Sequence, residues 1–112
     1  MVTIELSPFD RPTVHWFVMQ YLFKKANGDR MKGEEYVSQL YRQWEQFCGK
    51  KEKPCGNLES FSRAFRKMKM AEEVEKGRVE KGKGAIPRQY YILSQDYFDA
   101  MKEESEKVDG RR

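Results

Sequence analysis

The sequence predicts a mainly α-helical fold with a small β hairpin, and three observations carry that expectation. Three successive segments place apolar residues at helical spacing, residues 74–93 change to period-two alternation around glycines, and the closing segment returns to helical spacing. A chain of 112 residues has no room for a second independent core. One domain over residues 1–108 with a flexible tail at 109–112 is the expected organisation. With 38% apolar and 13% aromatic residues, the composition excludes full disorder.

The first helix is expected over residues 12–25, where Val14, Phe17, Val18, Tyr21 and Leu22 fall on one face. Asp10 or Ser7 would cap it, Pro12 suits a first helical turn, and Asn27-Gly28 supplies a left-handed exit. Arg30, Met31 and Lys32 could form a brief strand. Val37, Leu40, Tyr41, Trp44 and Cys48 mark a second helix that ends at Gly49. After a polar loop containing Pro54 and Gly56, Asn57 stands at an N-cap, and Leu58, Phe61, Phe65 and Met68 give the dry side of a third helix, about 57–69.

Val74, Lys76, Arg78 and Glu80 then alternate with Glu75, Gly77 and Val79, which reads as a strand. Gly82 and Gly84 make the turn. Residues 86–93 have strand composition, with Pro87 tolerable near the start of an edge strand. Ser94 is placed to cap a last helix carrying Tyr97, Phe98 and Met101.

The longest uncharged run, residues 12–23, is about half of what a membrane-spanning helix needs, so no membrane partner is expected. The first nine residues lack the basic and apolar regions of a signal peptide, and an intracellular location is the expectation. Cys48 and Cys55 then read as thiols. With His15 they make at most three metal ligands at the wrong spacing, and His15 reads as structural; no metal, cofactor or small-molecule ligand is expected. No Ser-His-Asp or Cys-His arrangement and no isolated carboxylate pair appears, so the chain reads as a non-enzyme.

Three helices, a hairpin with a basic glycine-containing turn and a closing helix follow the order of a winged helix-turn-helix. The residues that carry the resemblance are the loop from Phe47 to Asn57, the run Ser60-Phe61-Ser62-Arg63-Ala64-Phe65-Arg66-Lys67-Met68, and the hairpin leading into Arg88-Gln89-Tyr90-Tyr91-Ile92-Leu93, about half of the chain. The pattern resembles winged helices of phage and viral replication proteins, including those appended to primase-helicases. It departs from them in the glycine-rich turn and the fourth helix. The resemblance implies a DNA-binding protein in transcription regulation or replication, its third helix in the major groove and its hairpin lying as a wing on the backbone.

The net charge of +4 is unevenly spread, because residues 50–88 hold 12 Lys+Arg against 6 Glu. Such a stretch suits the phosphates of double-stranded DNA. On the third helix Arg63 lies opposite the dry side, flanked by Glu59, Ser60, Arg66 and Lys67, and arginine can donate two bonds to guanine O6 and N7. Lys50, Lys51 and Lys53 fit as backbone contacts, and Arg78, Lys81, Lys83 and Arg88 as wing contacts. Set against this, a charged helix face is ordinarily just solvated, and Glu72, Glu73, Glu75 and Glu80 could pair with the same cations. Lys83 is not followed by Ser or Thr, so the turn is not a nucleotide-binding loop.

Most aromatic residues read as core. Trp16, Met19 and Phe23 lie outside the main stripe of the first helix, and with Tyr97, Phe98 and Met101 they suggest a homodimer interface. The competing arrangement folds the last helix over the first within one chain. A second function class, a winged helix that holds a protein partner as an assembly or adaptor module, uses those same two helices and treats the charge as incidental.

Overall fold

The computed structural model describes residues 13–50, 55–81 and 86–109. It contains four α-helices and a three-stranded antiparallel sheet, in the order α1 (Val14–Ala26), a 3-10 turn (Arg30–Lys32), β1 (Glu35–Tyr36), α2 (Val37–Lys50), α3 (Leu58–Met70), β2 (Val74–Glu80), β3 (Arg88–Leu93) and α4 (Gln95–Asp109). β3 is the central strand, between β1 and β2.

Thr13 caps α1, its side chain accepting from the Trp16 amide at 3.1 Å. The helix therefore starts after Pro12, not on it, and neither Asp10 nor Ser7, which lie outside the described residues, holds the cap. Asn27 closes α1 in the left-handed region at φ 46°, as its sequence predicts. The expected strand at Arg30, Met31 and Lys32 is instead a 3-10 turn. Asp29 accepts from the Met31 amide through its side chain and from Lys32 through its carbonyl, and this local bonding outcompetes extension. The strand forms just beyond it, where Glu35 and Tyr36 pair with Tyr91 and Tyr90.

The link into α3 is held from α2. The Trp44 indole donates to the Cys55 carbonyl at 2.9 Å and the Tyr41 hydroxyl to that of Gly56 at 3.1 Å, while Gly56 takes φ 75°. Asn57 then caps α3 by accepting from the Ser60 amide at 2.8 Å. Phe61, Phe65 and Met68 are buried as expected, but Leu58 remains 47% exposed in the first turn. At its other end, Glu72 N–H bonds to Lys69 and Glu73 N–H to Met68, with Glu72 in the left-handed position that glycine usually fills.

β2 and β3 pair as the expected hairpin, with Val74 opposite Leu93 at one end and Glu80 opposite Arg88 at the other. The alternation along β2 is broken by an irregularity between Lys76 and Val79, where Gly77 and Arg78 face no single partner. β3 begins at Arg88, two residues later than expected, and Ile86 stands in solvent. Ser94 starts α4 through its carbonyl, which accepts from Phe98, while its buried hydroxyl finds no partner among the described residues.

The core lies between α1, α2 and α3 and one face of the sheet, from which Val74, Tyr91 and Leu93 point inward. Phe17 packs on Trp44 and Phe47 at 5.4 and 5.2 Å between ring centres, and Phe65 meets Tyr91 edge-on at 5.0 Å. α4 folds over α1 within the chain: Met19, Phe98 and Met101 are buried, and the Phe23 and Phe98 rings meet at 5.6 Å. Trp16 and Tyr97 are partly buried against the same core. Of the apolar surplus that suggests a dimer interface in the sequence, Met19, Phe98 and Met101 are thus covered within one chain, and Trp16, Phe23 and Tyr97 stay partly exposed.

Candidate nucleic-acid interface

The amphipathic sequence of α3 leaves one side of it in water. At 100° per residue, Glu59, Arg63, Arg66 and Met70 form a single strip opposite Phe61, Phe65 and Met68, with Ser60 and Lys67 along one flank. Every one of these six is exposed. Lys69 turns away from the strip, its ammonium lying 5.4 Å from the centre of the Tyr91 ring. Arg63 reaches back one turn to Glu59, Nη2 to Oε1 at 3.5 Å, with side chains 66% and 76% exposed. A pair so open to solvent is worth about 0.3–0.5 kcal/mol, little enough for a stronger acceptor to take the guanidinium. Arg66 and Lys67 have no ion-pair partner among the described residues.

The cations of the β2–β3 hairpin are arranged differently. Arg78 donates to Glu34 through Nε and to Glu80 through Nη1 at 3.0 Å, and its guanidinium lies 4.0 Å from the centre of the Tyr90 ring. Arg88 stacks on Tyr36 at 4.9 Å and comes within 3.8 Å of Glu80. Tyr36 and Tyr90 meet edge-on beneath them. The result is a layer of two guanidinium groups on two phenol rings, joined by Glu80. Hydrogen bonding to Glu34 and then to Glu80 holds the Arg78 pKa above its ordinary value, and Arg78 in turn holds Glu80 below the usual carboxylate range. Both groups remain about half exposed, and each carries its opposite charge beside it.

Of the acidic residues that could quench the basic stretch, Glu80 does so, whereas Glu73 bonds to the His15 ring and Glu75 pairs with Arg30, partners from earlier in the chain. Lys81 and Lys50 are exposed; Lys51, Lys53 and Lys83 lie outside the described residues. The structure therefore brings Arg78 and Arg88 together around one carboxylate and aligns Ser60, Arg63, Arg66 and Lys67 on α3.

Glu34, Tyr36 and Tyr90 give no signal in a single sequence, because pairing across β1 and β3 brings them to the wing arginines. Glu35 is equally hidden. It is buried between α1 and the sheet, accepting from Lys25 Nζ at 2.9 Å and from the Tyr21 hydroxyl at 3.1 Å, and so ties α1 to β1. Burial, followed by the smaller influence of Cys55, raises the pKa of the Cys48 thiol. Among the described residues no cluster of three or more His, Cys, Asp or Glu could hold a metal ion, and no helix is long and apolar enough to cross a membrane. No protein-family model matches the sequence, and no curated protein matches it either.

Proposed function

We propose that the chain is a winged helix-turn-helix DNA-binding protein, acting in transcription regulation or replication, with α3 in the major groove and the β2–β3 hairpin on the adjoining backbone. The observation that carries this reading is the exposed strip of α3. Its core side is dry and its open side presents Ser60 with three cations, Arg63, Arg66 and Lys67, that are weakly paired within the chain. The element order supports it, with a short strand between α1 and α2 and a hairpin directly after α3, as does the resemblance to winged helices of phage and viral replication proteins. The test is duplex binding across a salt series. Affinity is expected to fall steeply as salt is added, because phosphate contacts release counterions. Absence of binding at low salt overturns the reading.

A second reading, a winged helix that holds a protein partner, is favoured by one observation: the wing arginines are already neutralised by Glu34 and Glu80. It expects no duplex binding even at low salt.

A further inference from the structure

We propose that Glu59 and Arg63 act as one reading unit, Arg63 taking a guanine and Glu59 the exocyclic amino group of a neighbouring cytosine. The inference rests on the reading of α3 as the groove-entering helix, and goes beyond it by assigning the base that an acidic side chain selects. Glu59 belongs to the same strip as Arg63 and Arg66, one turn ahead of Arg63, with its side chain 76% exposed and within 3.5 Å of the guanidinium. A carboxylate on a strip that approaches phosphates is repelled unless a donor meets it.

The major groove offers two such donors, cytosine N4 and adenine N6. On adenine the amino group stands beside N7, an acceptor that repels a carboxylate. Cytosine presents its amino group with no acceptor of its own, so the charge of Glu59 selects cytosine. One helical turn advances about 5.4 Å against about 3.4 Å per base pair, which brings side chains one turn apart to neighbouring pairs. The Glu59–Arg63 contact in the free protein is weak enough to open when the two bases replace it.

Glu59 also lies in the first turn, where the helix dipole favours an acid for reasons unrelated to DNA. The two roles predict different outcomes. Random duplexes are selected with the wild type, Glu59→Gln and Arg63→Ala, and the affinities of each are then measured for the winning duplex and its cytosine-to-adenine variant. The wild type is expected to prefer cytosine by roughly tenfold or more, and Glu59→Gln to reverse that preference, since a glutamine amide matches adenine N6 and N7. If Glu59→Gln tightens binding to both duplexes by one factor while Arg63→Ala still erases a guanine preference, α3 reads the groove and Glu59 serves the helix alone. If the wild type selects no base, or binds no duplex, the groove reading fails and this inference falls with it.

Discussion

Gly33 passes directly beneath the last turn of α1. A Cβ at this position would lie 2.4 Å from the Leu22 carbonyl oxygen and 2.7 Å from the Ala26 Cβ, and the backbone oxygen has no rotamer by which to yield. Gly33→Ala is expected to cost about 1–3 kcal/mol, seen as a lower urea midpoint with an unchanged slope. Tyr21 makes a pH-dependent contribution: burial first, then the charge of Glu35, pushes its pKa up to about 12 from an ordinary value of 10.0. The folded chain keeps this proton where the unfolded chain loses it, so the contribution is whole below pH 10 and declines as pH rises toward about 12. The stability difference between wild type and Tyr21→Phe should narrow across that window in denaturant titrations. On α3, Arg63→Ala is expected to weaken specific duplex binding by about 1–3 kcal/mol and relax one base position, as competition with single-base variants would reveal. Arg63 is legible in the sequence because helical spacing sets it opposite Phe61 and Phe65. Glu35 is not, because nothing local marks a carboxylate for burial when its partners, Lys25 and Tyr21, come from another element.

At the scale of elements, legibility depends on whether an element carries its own period. α1, α2 and α3 each do, and Asn27 and Asn57 punctuate them where the chain turns. β1 has two residues, too few to show any period, and exists only because β3 offers it an edge. Residues 30–32 read as that strand since nothing in the side chains alone reveals that Asp29 closes a turn. The hairpin is legible as a pair of strands but not in chemistry: its sequence points Arg78 and Arg88 at phosphates, yet each leans on a phenol ring and on Glu80. Nearest the turn of the hairpin stand Lys81, exposed just beyond β2, and Lys83, outside the described residues. Neutralising both to Gln is expected to weaken binding to all duplexes alike and to make the salt dependence shallower, by about 0.9 in log–log slope for each phosphate that is no longer neutralised. Filter binding on two unrelated duplexes checks it, and a weakening confined to one of them contradicts it.

For the whole molecule, the question open in the sequence is whether α1 and α4 cover each other or a second copy, since apolar spacing is the same in either case. Here the Phe98 ring lies against Phe23, 4% exposed. Phe98→Glu is therefore expected to destabilise the fold by about 3–5 kcal/mol or more, the range for losing a buried Phe, rather than to split a dimer. Thermal melting followed by circular dichroism measures the first effect. Sedimentation of the wild type should give a mass near 13.4 kDa that does not rise with concentration.

The central position of β3 has a consequence for how the protein is made. Glu35 and Val74 both wait for residues 91–93, the former for Tyr91 and the latter for Leu93, and the Phe65 ring finds its neighbour only in Tyr91. On the ribosome, α1, α2 and α3 can therefore pack on one another as they emerge, but the side of them that meets the sheet stays uncovered until residues 88–93 have been translated. α3 comes into being well before the strand that completes its support. A nascent chain halted before Arg88 would display a basic strip on an unfinished body, a species for chaperones and proteases rather than for DNA.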